Sequence, residues 1–263
     1  MIALSVNLNK IALIRNSRDT TNPGIPEHAT MAIAAGADGI TVHPRPDQRH
    51  IRASDCFDLA AMLGPAAPGV EFNIEGNPFA GPRLSDRHGV DDYPGFMELV
   101  TAIKPDQVTL VPDDDNQLTS DHGFDLKRDG DKVAPLVEQL KSEGIRTSLF
   151  MDPDPEQIRL AAETGTDRIE LYTEAYADAF KRWENLEEVF AQYRDASILA
   201  TDLGLGVNAG HDLDLMNLPC FARIPGILEV SIGHALTVDA IRMGFANAIV
   251  AYQQALGKSY ETH

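Results

Sequence analysis

The strongest constraint on this chain is a repeat. Short apolar runs rich in β-branched residues alternate eight times with longer amphipathic segments. The pattern predicts strands at Ile2–Leu8, Gly39–His43, Val70–Ile74, Gln107–Val111, Thr147–Met151, Arg168–Tyr172, Gly206–Asn208 and Leu228–Ile232. It predicts helices at Pro26–Ala35, Ala53–Leu63, Tyr93–Ile103, Lys132–Glu143, Pro155–Thr164, Trp183–Leu203, Asp214–Leu218 and Thr237–Leu256. Small-residue turns lead from helix to strand: Ala-Gly-Ala-Asp before Gly39, Glu-Gly-Ile before Arg146, Thr-Gly-Thr-Asp before Arg168 and Leu-Gly-Leu before Gly206. A glycine just past a helix end can take the left-handed conformation that stops it.

Strands separated by helices favour parallel pairing with right-handed crossovers. The expected class is α/β: a single (β/α)8 TIM-barrel domain over residues 1–263, with a few extra helices. A doubly wound open sheet is the alternative, but no strand is followed by G-x-G-x-x-G. One stretch breaks the economy of the pattern. Gly76–Gly95, rich in Gly, Pro and Asp, reads as a loop of about 20 residues after strand 3, either a lid or a disordered segment.

Composition narrows the partners. The formal net charge of −18, from 40 acids against 22 bases, argues against nucleic acid, which needs a basic face. No apolar run of about 18 residues is present, so no membrane span is expected. The N-terminal segment lacks the basic start and the length of a signal peptide. Cys56 and Cys220 make no disulfide framework and read as small buried apolar residues, which fits a cytoplasmic protein.

In a barrel of this kind the active site lies at the C-terminal ends of the strands. Those ends carry Asn7, Asn9, His43, Glu75, Pro112, Asp113, Asp152, Glu170, Asn208, His211, Gly233 and His234. Histidines, glutamates and amides converging on one rim point to proton-transfer chemistry. Asn208-Ala-Gly-His211 and Ser231-Ile-Gly-His234 read as phosphate sites after strands 7 and 8, where small residues and a following helix N-terminus favour anions. Either Gly-His pair alone would be a simple turn. A second basic cluster, with Arg45 and His50, follows strand 2 and suits a planar two-point grip on an anion. Arg15 and Arg18, after strand 1, add positive charge or are engaged in a solvated loop or a salt bridge. Two positive clusters suggest two phosphorylated substrates or one bisphosphate.

Ordered motifs then carry a resemblance. Val6-Asn-Leu-Asn-Lys-Ile-Ala-Leu-Ile-Arg-Asn-Ser-Arg18, Ala37-Asp-Gly-Ile-Thr-Val-His-Pro-Arg45, Arg49-His-Ile51 and Asn73-Ile-Glu75 resemble the pyridoxine 5′-phosphate synthases. So do Leu110-Val-Pro112, Leu118-Thr119, Ser148-Leu-Phe-Met-Asp152, Ile169-Glu-Leu-Tyr-Thr173, Tyr176-Ala-Asp178, Asn208-Ala-Gly-His211 and Ile232-Gly-His-Ala235. The likeness spans nearly the whole chain. It implies a transferase of the condensing, synthase type in vitamin B6 biosynthesis. Such an enzyme joins 1-deoxy-D-xylulose 5-phosphate to 3-amino-2-oxopropyl phosphate, giving pyridoxine 5′-phosphate, phosphate and water. By matching positions it implies His43 and Glu75 as proton acceptors, His211 as proton donor and Glu170 as a stabiliser of developing charge. Arg45, His50 and Thr119, with Asn9 and Lys10, would contact the deoxyxylulose phosphate. Asn7, Arg18, Gly233 and His234, with Asp212 beside them, would surround the amino-ketone phosphate. No cofactor, no metal and a homo-oligomer, typically an octamer, are also implied.

Three departures from the family pattern stand out. Asn9-Lys10 replaces an Asp-His pair, raising local charge by about two at neutral pH. Asp212 replaces a glycine. A carboxylate at 4 Å from a phosphate costs roughly 1 kcal/mol in water, unless Asp212 turns outward and caps the short helix near Asp214. The Gly76–Gly95 loop is also longer than the family's connection. The departures leave open a divergent paralogue acting on another phosphorylated small molecule. A His43, His211 and Glu75 zinc set is a second alternative, without compact metal spacing to support it. Asp113-Asp-Asp115 reads as a solvated acidic loop rather than a Mg²⁺ site, and a non-catalytic phosphate-ligand sensor is the alternative from another class.

Overall fold

The computed structural model describes residues 1–18, 20–64, 67–114, 117 and 119–258. Eight parallel strands close into a barrel in chain order, β8 pairing back onto β1. They are β1 (Ala3–Asn7), β2 (Gly39–Val42), β3 (Glu71–Gly76), β4 (Gln107–Leu110), β5 (Arg146–Met151), β6 (Arg168–Tyr172), β7 (Gly206–Gly210) and β8 (Ile227–Ile232). The helices are α1 (Asn9–Asn16), α2 (Ile25–Ala34), α3 (Ala53–Leu63), α4 (Phe96–Ile103), α5 (Leu126–Ser142), α6 (Pro155–Glu163), α7 (Glu174–Arg182), α8 (Leu186–Asp202), α9 (Leu218–Phe221), α10 (His234–Met243) and α11 (Phe245–Ala255). The (β/α)8 expectation is met. Among the described residues no helix is long and apolar enough to cross a membrane.

The strands alternate in character with the two-residue period of a pleated chain. Leu4, Val6, Ile40, Val42, Phe72, Ile74, Val108, Leu110, Ile169, Leu171, Val230 and Ile232 are buried in the main apolar core. The intervening residues form a polar barrel interior. Ser5 and Thr41 share a hydrogen bond of 2.7 Å, Asn73 donates to Thr41 at 3.4 Å, and Thr109 donates to Asn73 at 3.1 Å. Asn208 on β7 reaches Gln107 on β4, 3.4 Å away, from the far side of the ring. Many barrels fill this space with branched aliphatics. Here the last inward position of several strands delivers a polar group to the mouth.

Helix boundaries differ from the sequence expectation where local chemistry competes. The segment after β1 is helical: Leu8, Ile11, Ala12 and Arg15 are buried at helical spacing, and the Asn7 side chain accepts the Asn9 N–H at 3.0 Å. The segment expected to be helical at Asp214–Leu218 begins instead as a turn, with Asp214 accepting from the N–H groups of Met216 and Asn217. Only Leu218–Phe221 is helical there. The expected Thr237–Leu256 helix is two, broken at Gly244, whose φ of +84° no continuing helix permits. α7 was not expected, and α5 starts six residues early despite Gly130 and Pro135. α6 is capped as its sequence implies, with Asp154 accepting from Glu156 and Gln157 ahead of Pro155.

The long connection after β3 is built rather than loose. Arg83 and Tyr93 pair as an antiparallel bridge, Tyr93 is buried, and Asp92 accepts the Ser85 N–H at 2.8 Å. Arg87 donates to the Gln48 carbonyl at 2.9 Å, and Gln48 donates to that of Asp91 at 2.6 Å, fastening the loop to the segment after β2.

Candidate active site

The C-terminal ends of the strands surround a cavity of about 380 Å³. His43, Glu75, Glu170 and His211 all line it, together with Asn7, Asn9, Lys10, Arg45, His50, Thr119, Asp212, Gly233 and His234. Most of the residues picked out from strand ends and the resemblance therefore meet in one place. Pro112, Asp113, Asp152 and Asn208 do not line the cavity, and neither does Arg18, which is exposed beyond the end of α1. A second cavity, of about 530 Å³, adjoins the first beneath the long loop and shares His43, Arg45 and Arg49 with it.

Burial sets the electrostatics of the inner half. His43 lies 3.7 Å from Glu75 through Nδ1 and 3.5 Å from Asp113 through Nε2, yet its pKa falls well below the usual imidazole value. Loss of water is the largest cause, and the charges of Arg45, His211 and Arg49 add to it. His50 is lowered for the same first reason and by His43. Glu75 shifts the other way, well above the usual carboxylate range, through burial and the nearby Glu170, Asp113 and Glu229. Glu170 is pushed up to about 8 by burial and by Glu229. Lys10, half buried near Arg45, is lowered. At neutral pH this half holds a neutral imidazole beside carboxyls whose proton affinity is raised. Those are the forms that accept and return protons readily.

Backbone geometry makes room for these groups. A Cβ at Gly210 would lie 2.3 Å from Glu170 Oε1, so only glycine lets that carboxyl occupy its place. Gly233 packs against Asn7, where a Cβ would meet side-chain atoms at 3.1 Å, and precedes α10 without a side-chain cap. Gly233 and His234 line the cavity, so the start of α10 stands at its edge, and a helix start favours an anion. The matching expectation for strand 7 is corrected. α9 starts seven residues after His211, and the Asp212 and Asp214 N–H groups are already directed at Thr173 and Asn217.

Other expectations are corrected as well. Asn208 is not on the rim, because β7 runs on to Gly210; it sits inside the barrel with Arg168, Gln107 and Glu229 as partners. Asp152 accepts the Gly123 N–H at 3.1 Å and does not line the cavity. For Arg15 the salt-bridge alternative holds: it pairs with Asp55, buried, at 2.5 Å and donates to the His50 carbonyl at 3.0 Å, so it supports His50 from behind. Asp113 is buried, not solvated: it clamps Arg45, accepts from Ser120 at 3.0 Å and faces His43. Asp115 and Leu118 lie outside the described residues. Among those described, no three His, Cys, Asp or Glu side chains are grouped as a metal ion would require.

Two of the departures now have a geometry. The Asn9 side chain accepts the His43 N–H at 2.9 Å, fixing the end of β2. Asp212 does not cap a helix; its Oδ2 lies 2.7 Å from His211 Nδ1, while Thr119 Oγ1 lies 2.6 Å from Nε2. His211 has φ +102°, outside even the left-handed helical region, a conformation that costs roughly 1–3 kcal/mol where it occurs. Sequence reasoning missed the apolar wall of Val111, Phe150 and Tyr172. Its signal was available, since Val111 ends a predicted strand and Phe150 and Tyr172 hold inward positions within two others.

Fold and site define a class: a (β/α)8 barrel with an acid–base mouth and an anion-favouring helix start. The chain belongs to the family described as "Pyridoxal phosphate biosynthesis protein PdxJ", whose model matches residues 4–258. It is 52% identical over 250 residues to the pyridoxine 5′-phosphate synthase of Xanthomonas campestris pv. campestris (strain B100), covering 95% of this chain and 94% of that one. It is 46% identical over 257 residues to the enzyme of the same name from Bacteroides thetaiotaomicron, covering 97% and 100%. Among solved structures, it resembles a Mycobacterium tuberculosis tryptophan synthase at a TM-score of 0.59 with 14% identity, covering 98% of this chain and 93% of that one. The phosphoribosyl anthranilate isomerase of Thermotoga maritima follows at 0.55 with 12% identity, covering 98% and 99%. At those identities the likeness shows the barrel alone.

Proposed function

We propose that this protein is a pyridoxine 5′-phosphate synthase. It condenses 1-deoxy-D-xylulose 5-phosphate with 3-amino-2-oxopropyl phosphate and releases pyridoxine 5′-phosphate, inorganic phosphate and water. What carries the reading is the meeting of His43, Glu75, Glu170 and His211 around one cavity in a chain of this family. A sensor would need no such set, and another sugar-phosphate enzyme would not account for the relatives' shared name.

Each stage moves protons. The amine must be neutral to attack a ketone, the carbinolamine must lose water, a C–H proton must leave to form an enamine, and ring closure follows loss of phosphate. His43 is suited to accept a proton because burial keeps it neutral. An ammonium beside Glu75 opposes the burial that raised its pKa and favours the ionised carboxylate, the form able to accept a proton. Glu170, protonated near neutrality, can ionise as positive charge grows on the condensing nitrogen. His211, on the more open side, is the donor. Arg45, His50, Thr119, Asn9 and Lys10 would meet the deoxyxylulose phosphate. The α10 start with Gly233 and His234, together with Asn7, would meet the amino-ketone phosphate. Holding both substrates in one cleft contributes several kcal/mol, up to about 7–11 in the best cases.

The same reading makes residues 1–263 one domain of a cytoplasmic transferase that assembles as a homo-oligomer and uses no cofactor. Purified protein incubated with the two substrates should form pyridoxine 5′-phosphate, seen by mass spectrometry, with stoichiometric phosphate. Folded protein that yields neither product would overturn the assignment.

A further inference from the structure

Asp212 lines the cavity on its strand 7 side. Its carboxylate is spent on the neighbouring ring: Oδ2 lies 2.7 Å from His211 Nδ1, while Nε2 faces Thr119 Oγ1 at 2.6 Å. The backbone beneath them is pinned. Thr173 donates through both N–H and Oγ1 to the Gly210 carbonyl, at 3.2 and 2.7 Å, and Asn217 donates to the Asp212 carbonyl at 3.1 Å. The edge-on Tyr172 ring, 5.4 Å from His211 between centroids, closes another side. These contacts hold His211 at a φ that side chains rarely adopt.

We propose that Asp212 is a positioning residue for the condensation, acting through His211 rather than on substrate. The inference rests on the function proposed above. An ionised carboxylate only accepts hydrogen bonds, so its contact fixes the proton of the ring on Nδ1. Nε2 is then the one nitrogen that can take up or release a proton at the cavity, and Thr119 holds it in line. A proton given from Nε2 leaves the ring neutral with Nδ1–H still on Asp212, and none passes to the carboxylate. A carboxylate oriented in this way also steadies the imidazolium from which the proton is given. Asp212 was expected to bear on substrate phosphate; the geometry assigns it to the donor histidine.

The test compares Asp212→Ala, Asp212→Asn and Asp212→Glu with the parent in steady-state kinetics with both substrates. It adds ¹⁵N spectra of the His211 ring at alkaline pH, assigned with His211→Gln. The expected result is a loss of about 10- to 100-fold in kcat for Asp212→Ala. KM for both substrates should stay within about twofold, with partial recovery in Asp212→Glu. The parent ring should show the Nδ1–H form, and Asp212→Ala should move toward Nε2–H. Should the alanine variant fail to fold, the asparagine variant, of equal size, carries the same readings with a smaller loss. A fall in KM for the amino-ketone phosphate with kcat unchanged would overturn the proposal, marking Asp212 as a repulsive substrate contact. An unaltered ring spectrum would overturn it too. If the parent makes no pyridoxine 5′-phosphate, the functional reading fails while the spectra still decide whether Asp212 orders the ring.

Discussion

The two halves of the mouth are built on different principles. On the strand 2 to strand 4 side, His43 and Asp113 have side chains only 7% and 5% exposed, and burial is the first cause of every shift in their proton affinity. On the strand 7 side, His211 and Asp212 are 28% and 38% exposed, and order comes from hydrogen bonds and a pinned backbone. Desolvation is a strong but blunt way to tune a group, because it acts on everything nearby. A directed hydrogen bond chooses which nitrogen carries the proton without drying the site. On the proposed function, the contrast suits bases that are ready before substrate arrives and a donor that is replenished from water.

The most severe way to break that contrast is Glu75→Gln, which keeps the shape but removes the titratable group. Turnover should fall by about 10²–10⁴-fold, while calorimetry still detects substrate binding; loss of binding instead would make Glu75 a binding group. Next in size is Asp113→Ala. It leaves the buried Arg45 guanidinium without its carboxylate and should cost about 3 kcal/mol in urea unfolding. Asp212→Ala, on the open side, should cost less than about 1 kcal/mol in the same measurement. Equal losses would erase the distinction between the halves.

A pH series sharpens it further. The Glu170 carboxyl holds its proton up to about 8 in the folded chain, against about 4.5 when exposed. Between those values the unfolded chain has already ionised, so rising pH weakens the fold, and the penalty is complete above pH 8. Glu170→Gln removes it. The variant should exceed the parent in stability at pH 9 by on the order of 2–4 kcal/mol, a margin that shrinks toward zero as pH falls to about 5. His43 works in the opposite sense. Its lowered pKa leaves stability untouched above about 6.5 and erodes it below, where the unfolded imidazole charges first. A margin for Glu170→Gln that does not change with pH would show that Glu170 is ionised throughout.

How legible was this in the sequence? The inner half was, because it obeys a period of two: Thr41 and His43, or Asn73 and Glu75, continue one inward-facing row to the end of a strand. Asn208 misled for the same reason, since glycine-rich β7 runs two residues further than its composition suggests and leaves that amide inside the barrel. α1 was hidden because its buried face includes Arg15, which counts as polar until Asp55 is known to receive it. Asp113 looked like solvated acid for want of Arg45 beside it, 68 residues earlier in the chain. The pairing of Asp212 with His211 was adjacent in sequence yet unread, because which way a carboxylate turns depends on φ at His211 and on Thr173 and Asn217. Patterns along the chain were readable; partners across it were not.

The smallest effect tests whether the departure at position 9 alters chemistry or only charge. Asn9 holds the His43 N–H through its side-chain oxygen, and a carboxylate at that place can accept the same bond. Asn9→Asp therefore preserves the anchor of β2, and its new charge lies beside Lys10 and Arg45, which line the same cavity. Turnover should change by less than about fivefold, about 1 kcal/mol, the worth of one ordinary hydrogen bond. Asn9→Leu, which cannot accept the bond, should lose more than Asn9→Asp in kcat because the imidazole of His43 loses its fixed backbone. If the aspartate variant is the worse of the two, charge at the phosphate end, rather than the anchoring of His43, is what position 9 controls.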